Sequence, residues 1–219
     1  GLGLMGMHEW LIKRGSKYEV TPELHQWLGV YKGGSDDVSK KSADEFDCTR
    51  PVANRAIAPT GSIGILAGTS TGVEPIFAVA YKRRYLKGGT RWHYQYVVDS
   101  AAQELIDLYG TDPNDIESAL DLAEDYKRRM QFQADVQDYV DMSISSTINL
   151  PAWGSKLNNE DTVMDFTNTL ASYAHRLRGF TVYPDSCRGG QPLTSVPYSE
   201  AVDKLGEEFD PQIRSELDL

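Results

Sequence analysis

The residues best suited to chemistry lie between Ala53 and Pro75, in the run ANRAIAPTGSIGILAGTSTGVEP, where a short apolar stretch gives way to glycines and hydroxyl side chains. Arg55 to Ala58 reads as a buried strand, and Pro59 halts any ladder because it lacks a backbone N–H. Thr60-Gly61-Ser62-Ile63-Gly64 follows at once. Gly61 and Gly64 permit backbone angles closed to other residues, so successive N–H groups can converge on one point while Thr60 and Ser62 add hydroxyl donors. From Ile63 to Leu66 the chain is apolar enough to begin a helix whose N-terminal dipole would favour the same anion. The chemistry expected at Pro59, Thr60, Gly61, Ser62, Ile63 and Gly64 is therefore phosphate binding, with an ordinary strand-end turn as the alternative of similar composition. The spacing matches neither a dinucleotide fingerprint nor a Walker loop.

A second candidate is the alternating run Ser143-Ile144-Ser145-Ser146-Thr147-Ile148-Asn149-Leu150, closed by Pro151. It predicts a strand with one core face and one small polar face, so that Ser143, Ser145 and Thr147 either face water or line a cavity. The nearest cations to the glycine-rich loop are Arg50 and Arg55, each a surface charge or a phosphate ligand. Lys82-Arg83-Arg84 forms a basic cluster in an acidic chain, read as a solvated strand end or as help for a substrate or partner. His8 and His25 have no partner at ligand spacing and read as packed or surface histidines; no metal site is expected. Cys48 and Cys187 are the only cysteines and form no C-x-x-C, so neither a disulfide framework nor structural zinc is indicated.

The elements that must position these residues follow from periodicity. Helices are predicted over 4–13, over 22–31 behind Thr21-Pro22, over 97–109 before Gly110, over 116–127 and 130–141, and over 162–178 before Gly179. Strands are predicted at 55–58, at 76–81 with the basic cluster at its end, at 143–150 and at 180–183. Gly33-Gly34-Ser35-Asp36-Asp37 reads as a loop, as do 87–90 and 184–193. Alternation of strand and helix implies an α/β fold with a mainly parallel sheet or a closed barrel.

The 219 residues are 40% hydrophobic, enough for one large domain or a substantial part of one. A net charge of -10 argues against a general nucleic-acid binder, whose surface would carry a basic field. No apolar run approaches the roughly 20 residues of a membrane helix, and the chain reads as cytoplasmic. The opening GLGLMGMHEWL resembles the inside of a domain, which reads as the second half of a larger unit: a separately encoded subunit, a processed product or an artificial boundary.

Three segments taken together, NRAIAPTGSIGILAGTSTGVEPIFAVAYKRRY, QADVQDYVDMSISSTINLP and GFTVYPDSCRGGQPL, resemble the C-terminal half of the catalytic barrel of ribonucleotide reductases, in the adenosylcobalamin-dependent (class II) branch. The opening GLGLMGMHEWL is similar to the helix that follows the family's active-site strand. The resemblance covers residues 1–195 and leaves 196–219 as an acidic surface tail. It implies the C-terminal half of a ten-stranded α/β barrel, with the loop Pro59 to Ile63 on the phosphates of a ribonucleoside diphosphate or triphosphate, and adenosylcobalamin as cofactor. It further implies that the strand Ser143 to Asn149 faces substrate and cofactor; it carries no tyrosine, in keeping with the cobalamin branch.

In the family a cobalt–carbon bond breaks, a thiyl radical abstracts the substrate 3′ hydrogen and a dithiol reduces the 2′ carbon, yielding deoxyribonucleotides for DNA synthesis. The family's N-x-C-x-E motif and its C-terminal cysteine pair are absent here, and neither Cys48 nor Cys187 inherits the radical role. The resemblance thus places the radical cysteine and its glutamate on an N-terminal portion acting as partner, with an external dithiol as reductant; an oligomer is compatible with it. A non-catalytic nucleotide-binding or structural remnant of such a barrel is the alternative. A glycyl-radical enzyme is a third reading, without its glycyl motif near the C-terminus.

Overall fold

The computed structural model describes residues 1–185, 187 and 192–209. Its centre is a parallel array of four chain segments. Leu2 lies beside Asn54 to Ile57, Ile57 beside Ile144, and β3 (Thr147–Leu150) beside β4 (Thr181–Pro184). Backbone hydrogen bonds run across all three junctions: Leu2 N–H to Asn54 O at 2.7 Å, Ser145 N–H to Ile57 O at 2.8 Å, and Thr181 N–H to Ser146 O at 3.2 Å. Only the last pair is long enough to form a regular sheet, because Pro59 truncates the 54–57 segment.

One side of this array is covered. Ile144, Ile148 and Leu150 alternate inward along the 143–150 run, as the period-two pattern requires. Ile148, Leu150 and Val182 pack with Met130, Phe166 and Leu170 of α6 (Tyr126–Gln137) and α7 (Val163–Tyr173). A larger cluster joins Ile57 and Ile144 to Leu11 of α1 (Met7–Ile12), Leu24 and Leu28 of α2 (Pro22–Glu45), and Phe132 and Val136 of α6.

Several elements differ from the sequence expectation. The expected loop 33–37 is helical, and α2 runs unbroken for 24 residues from a Thr21 cap whose side chain accepts the Leu24 N–H. Its Gly33 and Gly34 face solvent, where a helix tolerates them, and Arg55 holds the following turn through Lys32 O, Ser35 and Asp36. The expected strand at 76–81 does not join the parallel array: Ile76 to Val79 is irregular, its backbone satisfied by His8, Ala119 and Asp99.

The strand proper is β1 (Ala80–Lys87), so Lys82, Arg83 and Arg84 lie within it rather than at its end. It pairs antiparallel with β2 (Arg91–Val98) across Gly88 and Gly89, whose positive φ of 63° and 77° glycine allows. The expected helix at 97–109 therefore begins later, as α4 (Ser100–Tyr109), where Asp99 caps Ala101 and Ala102. The expected helix at 116–127 is α5 (Ala119–Ala123), separated from α6 by Asp125, which caps Arg128.

A four-stranded antiparallel sheet results, in the order β5-β1-β2-β6, with β5 at Leu193–Ser195 and β6 at Glu208–Phe209. Part of the expected surface tail is thus built in. α8 (Tyr198–Asp203) buries Ala201 completely, and Phe209 of β6 stacks on Tyr94 at 5.3 Å. Residues 210–219 of that tail, and Ser186 and 188–191 of the expected loop, lie outside the described residues. The chain is mixed α/β, with no described helix long and apolar enough to cross a membrane.

Candidate functional site

Because the array is parallel, its C-terminal strand ends share one edge, where ligands of open α/β sheets bind. Three segments emerge there: Ala58 to Gly64, Leu150-Pro151, and Pro184 onward. Pro59, Thr60, Gly61, Ser62, Ile63 and Gly64 form a turn that enters the short helix α3 (Gly61–Ala67). The residue in the left-handed region is Thr60, at φ 49°, and not Gly61 or Gly64 as expected. A Cβ at Gly61 would meet nothing within 4 Å, whereas one at Gly64 would stand 2.8 Å from Thr71 Cγ2. Gly64 is there for close approach, and Gly61 leaves open space on the exposed side.

Thr60 is held in place by its own hydroxyl, which accepts the Gly72 N–H at 2.8 Å and keeps its proton free to donate. Gly64 N–H returns to Thr60 O at 2.7 Å, while the N–H groups of Gly61, Ser62 and Ile63 have no acceptor among the described residues. Gly72 itself needs to be glycine, with φ 50° and Ala58 O only 3.0 Å from a would-be Cβ.

Next along the edge is a cavity of about 1210 Å³. Its walls combine Phe77, Leu120 and Leu193 with the polar Thr147, Asn149 and Tyr183. The last three share one face because the register sets Asn149 opposite Tyr183. Of the predicted polar row, Thr147 is on this wall. Ser143 sits at the opposite strand end, donates to Arg178 O at 3.1 Å and lines a separate cavity with Val52 and Asp141; Ser145 is half-buried between them and lines neither. Thr60 to Gly64 are not among the residues of the large cavity's wall.

The cations near the loop have other uses. Arg55 is neither a surface charge nor a phosphate ligand: its buried guanidinium pairs with Asp141 at 2.7 Å and Asp36 at 2.8 Å and donates to Tyr139 O and Lys32 O. Arg50, exposed, reaches Asp36 at 3.4 Å. Arg83 donates to Gln95 at 2.6 Å, and Arg84 lies over the Trp92 ring at 4.0 Å. Cys48 and Cys187 are exposed free thiols, Cys187 on the rim of the large cavity. His25 contacts the Tyr139 hydroxyl. Among the described residues no group of three His, Cys, Asp or Glu side chains is placed to hold a metal.

Sequence reasoning missed one set of buried polar residues. Arg129 pairs with Glu74 at 2.5 Å and donates to Tyr18, whose hydroxyl donates to Val73 O. His8 accepts the Ile76 N–H at 3.0 Å. Burial, then the Arg129 charge, lowers the His8 pKa to about 3, so the ring is neutral; burial likewise raises the Glu74 carboxyl. The available signal was the helical spacing of Arg129 with Phe132 and Val136, both core residues, which puts a cation on a buried stripe.

Comparison with known proteins defines the class. Residues 50–183 match the ribonucleotide reductase barrel domain, and the chain belongs to that family. Among curated proteins, it is 25% identical over 244 aligned positions to a vitamin B12-dependent ribonucleoside-diphosphate reductase of Mycobacterium tuberculosis (strain CDC 1551 / Oshkosh), covering 95% of this chain and 34% of that protein. A protein of the same description from Thermoplasma acidophilum is 28% identical, over 89% of this chain and 29% of its own length. A B12-dependent (class II) ribonucleotide reductase structure superposes on 99% of this chain and 34% of its own, with a TM-score of 0.72 at 13% identity. The Actinobacillus ureae class Id alpha subunit follows at 0.55. The chain spans about a third of the length of these relatives.

Proposed function

We propose that this chain is the C-terminal portion of the catalytic barrel of an adenosylcobalamin-dependent ribonucleotide reductase, and that it binds the phosphates of a ribonucleoside diphosphate or triphosphate. The observation that carries this reading is the loop Thr60 to Gly64, which presents three unpaired N–H groups and two hydroxyls at the C-terminal edge of a parallel array within the matched family region. The N–H groups of Gly61, Ser62 and Ile63 meet phosphate oxygens, with the Thr60 and Ser62 hydroxyls as further donors. The open space at Gly61 lets an anion approach the backbone.

Beyond the loop, Thr147, Asn149 and Tyr183 offer donors and acceptors beside the apolar Phe77, Leu120 and Leu193, with Glu124 and Asp185 also on the wall, a mixed lining that fits a nucleoside-sized portion of substrate or cofactor. When bound, the cofactor supplies a carbon-centred radical by cobalt–carbon homolysis. This chain's part is to bind and orient and to exclude water. The four-segment array is read as one side of a ten-stranded barrel closed by an N-terminal portion bearing the radical cysteine and glutamate. Exposed Leu2, Ile63 and Leu66 beside its edge are the apolar surface such a portion would cover. An external dithiol restores the reduced thiols, and the assembly is cytoplasmic.

The test mixes the chain with a polypeptide carrying the missing barrel half and measures adenosylcobalamin-dependent deoxynucleotide formation, expected only in the mixture. A complex that assembles and never reduces nucleotides would indicate the non-catalytic alternative. Gly61→Val should leave folding intact, since a Cβ there meets nothing within 4 Å, and weaken nucleotide binding at least about tenfold, ~1.4 kcal/mol. Unchanged affinity in that variant refutes the phosphate role of the loop.

A further inference from the structure

The 54–57 segment leaves the sheet just where a parallel ladder would continue. Ile57 N–H bonds Ser143 O at 3.3 Å and Ser145 N–H bonds Ile57 O at 2.8 Å. In the next rung residue 59 would donate to Ser145 O, which Pro59 cannot do. Beyond that, Thr147 N–H would seek residue 59 and Thr147 O would seek the N–H of residue 61. Both Thr147 groups are instead taken by side chains. Glu74 Oε1 accepts the Thr147 N–H at 2.6 Å, and Arg129 Nη2 donates to Thr147 O at 2.7 Å. Glu74 Oε2 and Arg129 Nη2 close the circuit at 2.5 Å, and Ser146 Oγ accepts from the same nitrogen at 3.1 Å.

We infer that the Glu74–Arg129 ion pair stands in for the missing strand and is a positioning device for the loop: by satisfying Thr147 it leaves the Gly61 N–H free and holds the loop and the cavity wall in fixed relation. The substrate role of the loop rests on the function proposed above; the mechanical coupling does not. The second link is Gly72, two residues before Glu74, whose N–H fixes the Thr60 hydroxyl. Between them the backbone of 73–76 is clamped by Tyr18 on Val73 O, by His8 on Ile76 N–H and by Ala119 N–H on Ile76 O. Among the described residues the charged group in direct contact with Glu74 is that of Arg129, with Tyr18 and His8 as its neutral neighbours.

Glu74→Gln keeps an acceptor for Thr147 and removes the charge pairing; Arg129→Lys keeps the charge and loses the reach to Thr147 O. Amide exchange and binding of inorganic pyrophosphate are measured in each variant and in the parent chain. Exchange at Thr147 and at the bonded loop amides Gly64 and Gly72 should quicken about tenfold while α4 is unchanged. Pyrophosphate affinity should fall about fivefold, the effect of roughly one net hydrogen bond. In the assembled reductase KM for nucleotide should rise with kcat little changed. If either variant fails to fold, the other carries the test. Faster exchange at Thr147 with none at Gly64 and Gly72 overturns the coupling. Failure of the parent chain to bind pyrophosphate, with the coupled exchange intact, refutes the phosphate reading and leaves the inference standing.

Discussion

Replacing Arg55 by alanine probes how the array is anchored. The guanidinium, 2% exposed, bridges α2 to the turn before β3 through Asp36 and Asp141 and satisfies the carbonyls of Lys32 and Tyr139. Truncation removes the charged partner of both carboxylates and the side-chain donor to Tyr139 O, while Asp36 and Asp141 keep the Asn54 side-chain and backbone N–H groups and Lys32 O keeps the Ser35 hydroxyl. Breaking a buried pair by removing one partner costs about 3–5 kcal/mol, and with the remaining carboxylates 35% and 27% exposed the lower part of that range, about 3–4, applies. Against a typical total of about 5–15 kcal/mol, the variant keeps the fold with a large part of its stability gone. With a urea slope of about 2 kcal/mol per molar, the unfolding midpoint followed by circular dichroism should fall by about 2 M.

The effect should depend on pH with a definite sign. At Asp36 the hydrogen bond from Arg55 holds the carboxyl below its usual range. At Asp141 burial pushes upward but is outweighed by the Asn54 N–H and the Arg55 charge. Folded values below the unfolded value near 3.9 give stability that is present above that pH and lost as pH falls through the folded values. The gap between parent and variant should therefore be full at neutral pH and narrow below about pH 4. A midpoint shift under about 0.5 M at pH 7, or a gap that widens in acid, refutes the reasoning.

Gly72→Ala keeps the N–H to Thr60 but should destabilise by about 1–2 kcal/mol through its left-handed φ, with the new Cβ 3.0 Å from Ala58 O, read as a lower melting temperature. Gly61→Ala, unopposed, should melt close to the parent. Cys48→Ser with Cys187→Ser, both exposed, should retain most turnover in the assembled reductase; loss of activity with assembly intact would assign a thiol role to one of them.

Local signals in the sequence determined the elements with strong punctuation. Thr21-Pro22 and Gly110 mark helix ends by capping chemistry that needs no tertiary partner. The 143–150 alternation, with Pro59 and Pro151 as stops, marks the two faces of the site strand. The loop at Thr60 was legible from its hydroxyls and glycines, and family membership from three motifs in order.

What tertiary structure alone decided were the residues whose role depends on a distant neighbour. Gly33 and Gly34 read as a break, yet Arg55, some twenty positions on, holds the helix through them. The 80–98 hairpin was hidden because Val97 and Val98, the end of its second strand, also open the helical pattern of 97–109, and pairing with β1 outweighs that local ambiguity. Arg129 stands at helical spacing with the core residues Phe132 and Val136, but its partner Glu74, 55 positions away, is brought to it only when folding sets both against Thr147. A buried charge needs partners within reach, and partners across such separations leave no trace in spacing.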